Sequence, residues 1–335
     1  MKALVTGAGG FLGRAVVEAL AARNPELLRC AVRSQVPPGL RTLSAQNKRV
    51  ELADGNLLSR DHIRRMLDGI DTVYHLAAGT SGAAADLFLN TVVVSQRLLE
   101  AVAESTHARK IVLVSSFSVY AAGTERRGAL IDENFPIEPA AELRDSYCLA
   151  KTWQDNLFRD FHKRHGCAVV IVRPGVIYGP GGVAISPRVG ISLPGVFLHA
   201  GRRNLLPLTY VTNCAEAIIV ASESSALYDV VNVVDDDLPT CKEYLRRYRV
   251  EIKKIRYLTL PYFGIQLLAK VFVWYNRFSK GQLPAVITPY NAAALWKGNR
   301  FTNSHLKELG WKQGIPTGVG LTRTFEYLKS LSQGS

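Results

Sequence analysis

The chain has 335 residues, 47% of them hydrophobic, and carries 41 Lys and Arg against 28 Asp and Glu for a formal charge of +13. That length and apolar content exclude a disordered segment and leave room for one large core or two unequal ones. The basic balance admits an ordinary surface, an anionic lipid or an acidic ligand, but beyond one cluster at 242–256 there is no aromatic-basic module, so nucleic acid is excluded as a partner.

From the N-terminus, strand-like apolar runs at 3–6, 28–32, 72–76, 110–115 and 168–173 alternate with helical patterns at 13–23, 60–67, 87–104 and 146–165. Such alternation predicts a parallel sheet covered on both faces. The run C-A-V-V-I-V at 167–172 is too apolar for a half-exposed strand and suits the sheet centre. After Arg173 the pattern breaks at Pro174, Gly175, Gly179, Pro180, Gly181 and Gly182, yet 230–234 reads again as a buried strand. The expected fold is therefore α/β: a Rossmann-type parallel sheet flanked by helices, with a smaller mixed α/β substrate-binding portion. The nucleotide-binding domain takes 1–173 with 210–235, and the substrate-binding portion takes 174–209 with 237–330.

The opening K-A-L-V-T-G-A-G-G-F-L-G runs a short buried strand into Gly7, Gly10 and Gly13 and then into a helix. Gly7 permits a tight turn, Gly10 lets backbone approach a pyrophosphate, and Gly13 lets the helix pack against the sheet, with phosphates at the positive helix end. Where an acidic residue after the second strand would bind the ribose diol of NAD, this chain has Arg33 followed by Ser34. A guanidinium suits a 2′-phosphate, so NADP is expected ahead of NAD.

Further on, the apolar strand 111–114 ends in Ser115 and Ser116, and about thirty residues later comes Y-C-L-A-K, with Tyr147 and Lys151 one helical turn apart. A phenol with a pKa of about 10 accepts protons poorly at neutral pH. An ammonium on the same helical face lowers that value, and Ser116 can hold the substrate oxygen. The catalytic set expected is Ser116, Tyr147 and Lys151, with no metal.

These motifs, in this order, resemble the extended short-chain dehydrogenase/reductase family, which includes sugar-nucleotide epimerases and dehydratases, dihydroflavonol-type reductases and 3β-hydroxysteroid dehydrogenases. The resemblance spans about 1–235. It implies that T-G-A-G-G-F-L-G at 6–13 holds the cofactor, adding Phe11 and Leu12 to the glycines. It likewise implies cofactor contacts from Asn56 and Leu57, where the family has Gly-Asp-Leu; from Leu76, Ala77 and Ala78 in H-L-A-A; and from Asn90 on the following helix. V-S-S-F-S-V-Y at 114–120 maps the catalytic hydroxyl onto Ser116 and leaves Ser115 beside the cofactor with Tyr147 and Lys151. R-P-G-V-I-Y-G-P-G at 173–181 places Pro174 and Val176 under the nicotinamide. In Y-V-T-N-C-A at 210–215, Asn213 stands where the family has Asp and is expected to cap the next helix.

The segment 257–278 is rich in aliphatic and aromatic residues, and three readings of it stay open: a lid over an apolar substrate, a core helix, or an amphipathic helix touching a membrane surface. The reading placed first is an oxidoreductase interconverting a secondary alcohol and a ketone on a largely apolar substrate, steroid-like or a β-oxo acyl compound. The alternative is a nucleotide-sugar epimerase, with Arg202 and Arg203 available for a diphosphate. A dehydratase ranks lower, because Phe117 and Ser118 stand where it would need an acid/base pair. A homodimer through the helices at 87–104 and 146–165 follows from the resemblance. Five scattered cysteines without pairing or metal-ligand spacing, and an opening without a secretory signal, predict reduced thiols in the cytoplasm.

Overall fold

A computed structural model describes residues 1–33, 35–278 and 287–333. Its first part alternates β1 (Lys2–Thr6), α1 (Phe11–Ala22), β2 (Leu27–Val32), α2 (Pro38–Gln46), β3 (Val50–Asp54), α3 (Arg60–Leu67) and β4 (Thr72–His75). Next come α4 (Ala84–Phe88), a π-helical turn (Leu89–Val93), α5 (Val94–Glu104), β5 (Lys110–Val114), β6 (Leu130–Ile131), α6 (Ser146–His165) and β7 (Ala168–Pro174). The chain continues through β8 (Val176–Tyr178), β9 (Gly190–Leu193), β10 (Val196–His199), β11 (Leu208–Tyr210), α7 (Val211–Ser222) and β12 (Tyr228–Val233). It closes with α8 (Cys241–Glu251), β13 (Tyr257–Thr259), α9 (Tyr262–Phe278), α10 (Pro289–Trp296), β14 (Arg300–Phe301), α11 (Ser304–Glu308) and α12 (Thr317–Gln333).

Seven strands pair in the order β12-β7-β5-β4-β1-β2-β3, all parallel. Alternate residues of each strand enter opposite cores, as the period of two requires. Val5, Val112, Val170 and Val172 meet α1 and α7, while Leu4, Ile111, Leu113 and Ile171 meet α3, α5 and α6. This is the Rossmann-type arrangement expected, and its strand order reverses between β1 and β4, where a crevice opens at the strand C-termini. A smaller mixed region carries β9 antiparallel to β10, β10 parallel to β13, and β8 parallel to β11. Its core joins Tyr178 and Leu208 to Tyr244, Leu245, Leu321 and Phe325.

Two details depart from the expected elements. The edge strand β3 reads V-E-L-A-D, too short and too polar to stand out as apolar, and pairs only with β2. The helix expected over 87–104 starts earlier, at Ala84, and is interrupted by the π turn that contains Asn90; such single wide turns reposition side chains within a helix.

Candidate active site

Three chain segments converge at the crevice: the β1–α1 turn, the end of β5, and the first turns of α6. At the first, Gly7 adopts φ +72° and packs so closely that a Cβ would lie 2.9 Å from the Ala77 nitrogen. A Cβ on Gly13 would overlap the Gly7 carbonyl oxygen, so that position admits only glycine. The N-terminus of α1 begins after Gly10, has no side-chain cap and has no acidic residue in its first turn. Its amides and positive dipole end are thus free for an anion, which is the fit that a dinucleotide pyrophosphate requires. Phe11 and Leu12 are half-buried, and the Phe11 ring reaches the loop at 179–182, where a Cβ on Gly182 would come within 3.0 Å of it.

The other expected cofactor contacts are distributed around this turn. Leu76, Ala77 and Ala78 follow β4 and are half-buried; the Ala77 N–H donates to Thr6 Oγ1 at 3.3 Å. Asn56 is exposed, and its Oδ1 accepts the Leu58 N–H at 3.0 Å, while Leu57 packs against the α3 side of the core. Asn90 turns its Nδ2 to the Asp86 carbonyl within its own helix at 2.8 Å. Pro174 is buried at the end of β7 and Val176 half-buried in β8. Arg33 extends exposed from the end of β2, and Ser34 lies outside the described residues.

The two serines after β5 separate in role. Ser115 is buried, and its Oγ donates to Asp155 Oδ2 at 2.8 Å, inside the bidentate ion pair that Asp155 forms with Arg173 at 2.8 and 3.0 Å. Its hydroxyl therefore belongs to the structural pair behind the crevice. Ser116 is half-buried and accepts the Ser118 N–H at 3.1 Å, with the Tyr147 phenol beside it. Burial raises the Tyr147 pKa, and the Ser116 hydroxyl acts in the opposite direction. Tyr147 stands in the first turn of α6, which is capped by Asp145 accepting the Cys148 N–H at 2.8 Å.

Lys151 follows one turn later on the same face. Its Nζ donates to the Val114 carbonyl at 2.8 Å and to Gln154 Oε1 at 2.7 Å, so it is β5 and Gln154 that engage the ammonium. Burial brings the Lys151 pKa down to about 7, with Asp155 opposing.

Gln154 extends a buried hydrogen-bond chain that sequence reasoning missed. Its Nε2 donates to Ser95 Oγ at 2.8 Å, while Ser95 spends its one hydrogen on the Thr91 carbonyl at 2.5 Å. Ser95 must then accept from His75 Nε2 as well, at 2.9 Å, which fixes the His75 tautomer and leaves Nδ1 to accept from Thr6 Oγ1 at 2.8 Å. Burial, with Lys151 nearby, lowers the His75 pKa to about 3 and keeps the ring neutral. The one available signal was polar residues on faces otherwise apolar: Thr91 and Ser95 four apart, and Gln154 between Lys151 and Asp155.

Two arginines stand near the residues that follow Ser116. Arg144 is buried and bonded to the Ser118 carbonyl at 3.1 Å, with Glu138 at 3.7 Å. Arg188 is half-buried with its guanidinium 6.0 Å over the Phe301 ring, which stacks on Phe117 between Ser116 and Ser118. Among the described residues no carboxylate pairs with Arg188, and burial and the like charge of Arg144 lower its pKa to about 10.

Against this geometry, the profile of the NAD dependent epimerase/dehydratase family matches residues 3–235, more than half of the chain. The chain belongs to that family. As a family member it is a nucleotide-binding Rossmann enzyme related to epimerases and dehydrogenases. It is similar to cinnamoyl-CoA reductase 2 of Medicago truncatula, 27% identical over 91% of this chain and 85% of the relative. The fold is shared with the UDP-glucuronic acid 4-epimerase of Bacillus cereus in complex with NAD, at TM-score 0.72, 22% identity and 99% coverage of both chains. It is shared too with the UDP-glucose 4-epimerase of Thermus thermophilus in complex with NAD, at TM-score 0.69, 20% identity, 98% of this chain and 99% of the other.

Two expectations are corrected here. NADP was expected from Arg33, but these solved structures hold NAD. Arg33 is exposed at the end of β2, so the expectation rested on its residue type alone. Asn213 does not cap α7 either. It lies inside that helix, donating to Asp235 Oδ1 at 3.0 Å and to the Ile315 carbonyl at 2.8 Å while accepting the Ile315 N–H at 2.9 Å. An amide serves there because an aspartate would face the buried carboxylate of Asp235.

Proposed function

We propose that this protein is an NAD-dependent epimerase that inverts a secondary carbinol carbon of a polar, anionic substrate of the nucleotide-sugar type. The observation that carries this reading is the half-buried Arg188 guanidinium, which no described carboxylate pairs, lying 6.0 Å over the Phe301 ring that stacks on Phe117, the residue after Ser116. A cation left without a carboxylate in such a place favours an anionic group on the ligand. Bound NAD supplies the hydride acceptor and donor for such a reaction. Ser116 holds the substrate oxygen, Tyr147 takes and returns its proton, and Lys151 supplies the positive charge beneath them.

The apolar-substrate reading loses its main support because α9 packs one face on its own cluster and leaves the other in solvent. Tyr262, Ile265, Ala269 and Phe272 meet Ala200, Ile287, Ala292 and Trp296, while Phe263, Leu267, Trp274 and Phe278 are exposed. A second reading, reduction of an acyl or keto substrate with net consumption of NADH, is supported by the alignment with a reductase over 91% of this chain. One assay separates the two. Incubation with UDP-sugars, followed by NMR, is expected to give the epimer without net change in NADH absorbance. Stoichiometric NADH consumption on a ketone or acyl thioester, with no epimer formed, overturns the first reading. The same reading includes a homodimer through α4, α5 and α6, whose outer faces carry exposed Phe88 and Trp153 in edge contact at 6.0 Å; light scattering that finds only monomers rejects it.

A further inference from the structure

Away from Tyr147, a cavity of about 920 Å³ opens between the loop after β10, the helix α8 and the start of α9. Arg127, Arg202, Arg203, Lys242, Arg246 and Arg249 line it, and no acidic side chain does. Among the described residues none of these six forms an ion pair. The exposed Lys253, Lys254 and Arg256 on the connection to β13 extend the same positive field. Charges of one sign gathered in a concavity reinforce one another and attract anions strongly.

Tyr262 and Phe263 belong both to this cavity and to α9. Along α9, Phe263, Leu267, Trp274 and Phe278 are 75, 64, 63 and 73% exposed. With Val271 they fall at the three- and four-residue spacing of a single helical face. The opposite face, through Ile265 and Ala269, anchors the helix on Ala200, Ile287, Ala292 and Trp296. Exposed apolar side chains contiguous over four turns mark an interaction surface rather than chance. Among the described residues no helix is long and apolar enough to cross a membrane, so α9 can lie on one but not span it.

We propose that this face docks on the surface of a bilayer containing anionic phospholipid, with the apolar side of α9 at the headgroup–acyl boundary and the cationic cavity receiving lipid phosphate. Charge complementarity selects this occupant. A second copy meeting the same face would bring six unpaired cations against six, whereas an anionic bilayer meets both the positive field and the apolar stripe. Arg202 and Arg203, read from the sequence as available for a diphosphate, line this cavity, so the vesicle test is made without a nucleotide sugar and its failure leaves the substrate reading standing.

The test is co-sedimentation of the full chain with vesicles of phosphatidylcholine alone and of phosphatidylcholine with phosphatidylglycerol. Binding is expected only to the phosphatidylglycerol vesicles and is expected to fall as salt rises. Lys242→Gln and Arg246→Gln should each weaken it about fivefold, and Leu267→Asp with Trp274→Asp should abolish it while the thermal unfolding temperature stays unchanged. Equal binding to both vesicles, binding to neither, or insensitivity to the α9 variants overturns the proposal. A dimer in solution that the α9 variants dissociate also overturns it, by assigning the face to a second copy.

Discussion

From Thr6 through His75, Ser95 and Gln154 to Lys151, every side chain is buried and every one is hydrogen-bonded. In the cavity between α8 and α9 cations stand without carboxylates, and along α9 large apolar groups stand in solvent. The two regions obey one rule under different conditions. A polar group withdrawn from water must find its partner inside the fold, because the low-dielectric interior leaves its desolvation uncompensated. At the surface water or an outside molecule can serve, so the fold tolerates unpaired groups there. The first region is therefore read by asking how each proton is placed, and the second by asking what else would cover it.

The largest effect that sharpens this contrast is expected at the phenol. Tyr147→Phe should lower turnover at least about a hundredfold if general acid/base catalysis operates, while circular dichroism stays unchanged; near-normal turnover would remove Tyr147 from the chemistry. Next comes Asn213→Asp, which sets two buried carboxylates face to face. Burial already raises the Asp235 pKa, so one of the pair must hold a proton. The variant should lose about 2 kcal/mol at neutral pH, by urea denaturation, and recover part of it in acid.

A pH-dependent effect separates the buried ammonium from the exposed ones. Burial moves Lys151 from 10.5 to about 7, so between those values the unfolded chain binds a proton that the folded chain does not. Stability from this group accordingly rises with pH from about 7 toward 10.5, and below about 7 the full cost of charging it is present. Urea midpoints at pH values spanning that window should climb more steeply for the native chain than for Lys151→Met; parallel slopes would contradict the buried, shifted lysine. The smallest effect is expected on α9, where Leu267→Ser should change folding stability by no more than about 0.5 kcal/mol. A larger loss would mean that this face is packed in solution and would dissolve the comparison itself.

Legibility followed locality. The β1–α1 turn could be read because each glycine answers to a contact within a few residues or to the adjoining strand. Ser116, Tyr147 and Lys151 were readable as a set, but the turning of Lys151 toward Val114 and Gln154 was not, because it depends on the Val114 backbone carbonyl of β5, and on Ser95 of α5 holding Gln154, when both meet α6. The strand β3 escaped notice through its short polar sequence at the sheet edge. Arg33 misled because a guanidinium suits a 2′-phosphate, and residue type was all the sequence offered at that position. Asn213 misled similarly: a cap requires only the helix start, whereas its real partners, Asp235 and Ile315, come from distant parts of the chain.

The order of apolar strands, glycine turn and catalytic pair is set within short windows of sequence, where backbone sterics and side-chain periodicity act alone, and so the fold class and the family were determined there. Partnership across the chain is not local. Which hydroxyl faces the crevice, which amide steers Lys151, and which way α9 turns its aromatic side depend on what burial leaves unsatisfied, and only the packed tertiary structure decides that.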